Sequence, residues 1–263
     1  MKIEFYKYHG TGNDFILIDN RKGDIELKKD QIAWLCNRRL GIGGDGLMFL
    51  LSSADFDFEM KYFNADGAEG TMCGNGGRCI TAFANFLGII KNKAHFMAID
   101  GLHESEILSK NEQSVNVSLK MTDVDYIEKK NDYIFMNTGS PHYIKFVEDI
   151  EKVDVFNEGK RIRWDKRFQP GGTNVNFVEI KESKLIVRTF ERGVEDVTLS
   201  CGTGVTASAL AASMFQADDK NVFDIETYGG KLKVSFTKDK EKFTNIRLEG
   251  PAVKVFEGVV TVQ

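Results

Sequence analysis

Cysteine, proline and net charge are all scarce in this 263-residue chain, and each shortage closes off a class of reading. Four cysteines, Cys36, Cys73, Cys79 and Cys201, are too few for a disulfide scaffold at this length, and no two stand at CxxC spacing. A zinc site would have to gather its ligands from distant segments, so no metal is expected. Three prolines leave nearly every apolar segment free to join a β-ladder. A formal charge of -4 offers no basic surplus for nucleic acid or a membrane surface, and neither is expected as a partner. Short charge runs such as Glu128-Lys129-Lys130 read as solvated surface. No apolar run approaches the roughly 20 residues that span a bilayer. The opening Met1–Lys7 alternates charged and apolar residues and lacks a signal peptide's apolar stretch, so a cytoplasmic protein with reduced thiols is expected.

With 42% hydrophobic and 28% charged residues, the chain can bury one large or two medium cores. Alternating segments at Phe56–Tyr62, Lys184–Phe190 and Lys231–Phe236 predict strands. Helical patterns are fewer: about Lys29 to Arg38, the segments after Cys73 and after Cys201, and Ile150 to Asn157. The mixture is α/β of the α+β kind, with more strand than helix. No regular βαβα alternation occurs, which argues against a doubly wound sheet.

An internal repeat organises these elements. Gly12-Asn13-Asp14-Phe15, then Tyr62-Phe63-Asn64, Gly67, Glu69, Thr71 and Cys73-Gly74-Asn75-Gly76 recur in order. Their counterparts are Thr173-Asn174-Val175-Asn176-Phe177, Thr189-Phe190-Glu191, Gly193, Glu195, Thr198 and Cys201-Gly202-Thr203-Gly204. After Cys73 the positions Cys79, Ala82, Phe83, Phe86 and Leu87 form one apolar face, and Arg78 is the only charge between Thr71 and Ile90. After Cys201 no charge occurs through Ala217. Helices this apolar must be surrounded by protein. Two pseudo-symmetric domains are expected, each a strongly curved sheet wrapped around one central helix, with the active site in the cleft between them. The polar stretch Lys110–Gln113 suggests domains of 1–113 and 114–251, with strands Ala252–Phe256 and Val259–Val262, after a Gly250-Pro251 break, returning to the first.

Cys73 and Cys201 each stand where a strand gives way to a helix. Free N–H groups and the helix dipole at such a point favour an anion, which activates a thiol and also suits a bound carboxylate. Cys36 and Cys79, on apolar helix faces, read as packing residues. Two symmetric thiols suit inversion of an α-carbon: a thiolate removes the proton from one face and a thiol delivers one to the other, with no cofactor. Gly41–Gly46 spells GxGxxG, but a helix precedes it and an apolar run follows, the reverse of a dinucleotide fingerprint, so a turn is expected. His142, in a turn entering a strand, and Glu191, at a strand end, are candidate partners for the two thiols. Asn13, Asn64 and Asn174 stand at strand ends or turns, suited to lining a cleft.

These residues together resemble the diaminopimelate epimerase family. The likeness rests on His9-Gly-Thr-Gly-Asn13-Asp14-Phe15, Phe63-Asn64-Ala65-Asp66-Gly67, Cys73-Gly-Asn-Gly-Gly-Arg78-Cys79, Glu191-Arg192-Gly193 and Cys201-Gly-Thr-Gly, and runs in order to Pro251. It implies epimerisation of LL-2,6-diaminopimelate to the meso form, in lysine and peptidoglycan-precursor synthesis, without pyridoxal phosphate. By the matching motifs, Cys73 and Cys201 would be the acid–base pair, tuned by His142 and Glu191. Asn13, Asn64, Asn174 and Arg192 would hold the distal end of the substrate, while Gly74-Asn75 and Gly202-Thr203 would bind the reacting carboxylate. A homodimer is implied by the family alone. Two positions depart from its pattern: Ser140 replaces the usual Asn, and Gly46 stands where some members carry Gln.

Rival readings remain on the sequence. A proline racemase-like enzyme would share the thiols but needs no group such as Arg192 for a second amino-acid head. Phenazine-type isomerases of similar architecture lack the paired cysteines. A thiol redox enzyme would turn over peroxide, and a binding module would hold ligand without exchanging its α-proton.

Overall fold

A computed structural model describes residues 1–215 and 220–262. The chain divides into two compact units, Met1–Leu119 with Gly250–Gln263, and Lys120–Glu249. In the first unit the elements run β1 (Lys2–Gly10), β2 (Asn13–Asp19), α1 (Lys29–Cys36), β3 (Gly46–Leu51) and β4 (Phe58–Asn64). They continue as β5 (Glu69–Gly70), α2 (Gly74–Phe86), β6 (Lys93–Ala98), β7 (Gly101–Lys110) and β8 (Val115–Lys120). The second unit has β9 (Ile127–Lys129), β10 (Ile134–Asn137), β11 (Pro141–Phe146), α3 (Val155–Arg163), β12 (Asn174–Lys181) and β13 (Lys184–Glu191). Then come β14 (Asp196–Thr198), α4 (Gly202–Phe215), β15 (Val222–Thr227), β16 (Gly230–Asp239) and β17 (Lys242–Thr261), the last belonging to the first unit from Gly250 onward.

Each unit uses the same wiring. β1 and β2 are antiparallel, β3 lies parallel to β2, β4 antiparallel to β3, and β6 parallel to β4. β10 and β11 are antiparallel, β12 lies parallel to β11, β13 antiparallel to β12, and β15 parallel to β13. The short strands β5 and β14 pair antiparallel with β4 and β13. In both units the parallel connection after the short strand passes through the buried helix, α2 or α4. Parallel strands need a crossover of about a dozen residues or more, and a helix laid against the sheet is the usual one.

The first sheet is packed on both faces, which explains its near-continuous apolar strands. Ile3, Phe5, Ile16, Ile18, Leu47 and Phe49 pack with Ile32, Leu35 and Cys36 of α1. Tyr6 and Tyr8 turn the other way, onto Phe83 of α2, at ring separations of 4.9 and 5.9 Å. Burying Phe83 fully is worth about 1.5–3 kcal/mol. In the second unit Val175, Phe177 and Phe190 pack with Val155 and Ile162 of α3, leaving Asn174 and Asn176 on the opposite face of β12. α2 is buried from Gly74 through Ala84, and α4 along most of its length. Residues 216–219, which include the last of the uncharged run after Cys201, lie outside the described residues. No helix among the described residues is long and apolar enough to cross a membrane.

Several local expectations need correction. The helix expected from Ile150 is a 3-10 turn, Ile150–Lys152, followed by a separate α3, because Asp154 caps a new start by accepting from Asn157 N. Lys110–Gln113 is no boundary but the turn of the β7–β8 hairpin, where the Asn111 side chain accepts from Gln113 N and Ser114 N. Gly250-Pro251 does not break the strand: β17 runs through it, and Val253–Thr261 pairs antiparallel with β1. Gly41–Gly46 closes the chain back on the end of α1, where a Cβ at Gly41 would sit 2.0 Å from Trp34 O.

The register of the repeat also shifts. Phe15 pairs with Gly46 across β2–β3 as His142 pairs with Asn174 across β11–β12. Asn174 is thus the counterpart of Gly46, not of Asn13, and Asn13, two residues before Phe15, corresponds to Ser140. Both departures from the family pattern therefore fall at repeat-related positions.

Candidate active site

In the first unit Cys73 is the N-cap of α2, and its sulfur accepts from Gly76 N at 3.2 Å. The thiol lies 3.9 Å from Asn13 Oδ1, which accepts from Asn75 Nδ2 at 3.1 Å. Asn13 Nδ2 in turn donates to Asp45 Oδ2 at 2.6 Å. Behind Asp45 stands an ionic network: Arg38 bonds both Asp45 and Asp14, and Asp14 also takes Lys7 at 2.7 Å. Burial would raise the Asp14 carboxyl, but hydrogen bonds from Arg38 and Lys7 outweigh it and hold the group at about 2.

Arg78 is fully buried one turn along α2. It donates to Gly74 O at 3.1 Å, Asn75 Oδ1 at 2.9 Å and Thr11 Oγ1 at 3.3 Å. Burial lowers its pKa to about 10, which leaves it a cation at neutral pH. A buried positive charge near the start of α2 adds to the dipole in favouring an anion there. Asn64 ends β4 in the turn closed by Gly67 N donating to its carbonyl, exposed and outside this hydrogen-bonded cluster.

In the second unit Cys201 immediately precedes α4 and is buried. Its sulfur lies 3.5 Å from Thr203 Oγ1. Thr203 Oγ1 is 2.9 Å from His142 Nε2 and 3.1 Å from Ser140 Oγ, and the latter two are 3.0 Å apart. Asn174 ties this group to the end of β13: Nδ2 donates to Ser140 Oγ and Pro141 O, while Oδ1 accepts from Arg192 N at 2.9 Å. Arg192 is half-buried as a residue; its guanidinium donates to Gly171 O at 3.4 Å in a solvent-exposed contact and forms no ion pair among the described residues. Glu191 ends β13, also half-buried.

Of the predicted site residues, the structure therefore gathers Asn13, Gly74 and Asn75 around Cys73, and His142, Asn174, Gly202 and Thr203 around Cys201. Asp45, Arg78, Ser140, Asn176 and Thr189 join them without having been given a site role from the sequence. Arg78 had a visible signal, as the lone charge of a helix otherwise free of it. The remaining thiols differ in kind. Burial pushes Cys36 up to about 11 and Cys79 further, so both stay neutral. Among the described residues no three His, Cys, Asp or Glu side chains gather to hold a metal ion.

His142 is completely buried. Burial, reinforced by the Arg192 charge, lowers its pKa to about 3. An unfolded histidine titrates near 6.5, so below about pH 6.5 the unfolded chain takes up a proton that the folded one refuses. Stability is then lost as pH falls from about 6.5 toward 3, by at most about 1.4 kcal/mol per pH unit from this residue. Denaturant titrations should show a steeper acid decline for the native protein than for His142→Asn. Equal slopes would mean that the folded protein protonates His142.

Gly46 has a steric explanation. A Cβ there would lie 2.5 Å from the Tyr62 ring and 2.6 Å from Phe63 O, so Tyr62 occupies the space a side chain would need. Gly46→Gln should destabilise the protein by about 1–3 kcal/mol, read as a lower denaturant midpoint. An unchanged midpoint would show that Tyr62 moves freely.

The diaminopimelate epimerase family model matches residues 5–127 and 134–255 of the chain. The diaminopimelate epimerase of Flavobacterium psychrophilum is 48% identical over 260 residues, covering 98% of this chain and 100% of that one. That of Chlorobaculum tepidum is 43% identical over 261 residues, covering 96% and 99%. A solved phenazine biosynthesis protein of the PhzF family from Bacillus anthracis matches at TM-score 0.77 and 17% identity, covering 100% of both chains. A hydroxyproline epimerase from Agrobacterium vitis matches at TM-score 0.70 and 15% identity, covering 98% of this chain and 92% of that one. At such identities these two structures speak for the fold alone.

Proposed function

We propose, for a chain that belongs to the diaminopimelate epimerase family, that Cys73 and Cys201 are the acid–base pair inverting one α-carbon of diaminopimelate. The observation that carries this is the sorting of the four thiols. Two sit at the starts of equivalent buried helices among polar partners, and two are sealed in apolar packing.

In the reaction, one thiolate takes the α-proton and becomes a thiol, and the electron pair left behind spreads into the substrate carboxylate. The opposite thiol then gives its proton to the other face and becomes the thiolate, so the pair ends with its roles exchanged. Helix N–H groups at Gly74-Asn75 and Gly202-Thr203 stabilise the carboxylate as that charge builds. Asn13, bonded to Asn75 and set against Cys73, fits the reacting end better than the distal one. Asn64, Asn174 and Arg192 hold the distal amino-acid head, and Glu191 and His142 support the thiols.

The test is α-proton exchange of LL-diaminopimelate in deuterated buffer: deuterium should enter as the meso form appears, without added cofactor. Binding without exchange would leave only a binding module. The Arg192 guanidinium, with no carboxylate partner among the described residues, favours a substrate with a second carboxylate over the single head a proline racemase-like enzyme would take. The reading also expects a cytoplasmic homodimer, and sedimentation of the purified protein would test the dimer.

A further inference from the structure

Asn176 lies on β12 two residues beyond Asn174, fully buried, and its partners determine which way its amide points. Nδ2 donates to Tyr143 O at 3.1 Å, and a carbonyl can only accept. Oδ1 accepts from Thr189 Oγ1 at 2.9 Å, which agrees. The same Nδ2 is 3.0 Å from His142 Nδ1. An amide nitrogen cannot accept, so Nδ1 carries no proton. A neutral imidazole has one N–H, which must then sit on Nε2.

The direction of the remaining bonds follows. His142 Nε2–H points at Thr203 Oγ1, 2.9 Å away. Ser140 Oγ accepts from Asn174 Nδ2 and cannot give its hydrogen to a protonated Nε2, so it donates to Thr203 Oγ1 at 3.1 Å. Both lone pairs of the Thr203 oxygen are thereby taken. Its own hydrogen is left for Cys201 Sγ at 3.5 Å, where it stabilises a thiolate. Thr203 N–H, in the first turn of α4, belongs to the helix amides that have no intrahelical acceptor and suits a substrate carboxylate. Gly204 leaves room for this arrangement: a Cβ there would fall 2.4 Å from Asn176 Oδ1 and 3.3 Å from His142 Cε1.

We propose that Asn176 is a positioning residue that holds His142 as the neutral Nε2–H tautomer and, through Thr203, turns a hydroxyl hydrogen onto the Cys201 sulfur. This rests on the reading of Cys201 as an acid–base residue. Complete burial and the Arg192 charge both oppose an imidazolium, so the neutral ring is the form available to be oriented.

The tautomer is tested without any variant, by nitrogen NMR of the histidine-labelled native protein at neutral pH. One buried histidine should show Nδ1 without a proton and Nε2 with one. A proton on Nδ1 overturns the proposal. Asn176→Asp then presents only acceptors to Nδ1, which should acquire a proton. With the relay reversed, kcat should fall on the order of 10²-fold with KM little changed. Activity should also gain a pH dependence near neutrality as the new carboxylate stabilises the imidazolium. Adding Thr203→Val to that variant should cost little more, since both act on one bond. An inverted tautomer with undiminished kcat would overturn the relay while leaving the two-thiol reaction standing. Full activity in Cys201→Ala would instead overturn the underlying reading. Should Asn176→Asp fail to fold, Gly204→Ala, whose Cβ would fall 2.4 Å from Asn176 Oδ1, should displace the amide and lower kcat with KM little changed, and an undiminished kcat there would overturn the relay.

Discussion

Alanine at Cys73 or at Cys201 should lower kcat for epimerisation on the order of 10³-fold or more while leaving the unfolding transition near its native position. Inversion needs a proton removed on one face and supplied on the other, so neither thiol can stand in for its partner. A single remaining thiol can still take a proton and return one to the same face. In deuterated buffer each variant should therefore exchange the α-proton of one stereochemical centre without inverting it, and the two variants should prefer opposite centres. That pattern also assigns each thiol to a face. Exchange of the same centre in both variants would sink the two-base reading, as would substantial inversion in either.

Cys36→Ala supplies the contrast. Its thiol packs with Ile32 and Leu35 in the core beneath α1, and burial holds it up at about 11. Removing it should cost about 1–2 kcal/mol of stability through lost packing, with kcat unchanged.

The two CGxG segments were legible in the sequence because their signals are local. Glycines following a cysteine, and a helix almost free of charge, are visible within about four turns of chain. Asn176 gives only half of such a signal. A second asparagine at i+2 in an apolar strand must lie on the same face as Asn174. Its partners His142 and Thr189 come from β11 and β13, however, and no window of sequence shows which strands neighbour β12. The register of the repeat failed for a related reason. Thr173–Phe177 looks like Gly12–Phe15, while the true counterpart of Asn174 is Gly46, a glycine with no side chain to match. Pro251 misled differently: a proline removes one ladder donor without ending the strand, and β17 passes through it.

The other large effect is expected at Arg192, and it tests substrate identity apart from mechanism. Arg192 is held by its backbone N–H on Asn174 Oδ1, and its guanidinium spends its side-chain hydrogen bonding on a long, exposed contact to Gly171 O, with no carboxylate paired to it among the described residues. A cation so placed suits a bidentate grip on a ligand carboxylate, which lysine cannot reproduce. Arg192→Lys should cost about 2–4 kcal/mol of transition-state stabilisation, roughly 30- to 1,000-fold in kcat/KM. Part of that loss should appear in kcat, because binding energy from the distal head aligns the reacting carbon between acid and base. An analogue lacking the distal carboxylate should already be a poor substrate for the native enzyme and should lose little more in the variant. Both substrates on both proteins form a double-difference cycle, in which a contact to the distal carboxylate appears as strong non-additivity. Equal losses for the two substrates would place Arg192 elsewhere in the chemistry and leave a racemase that reads only one amino-acid head.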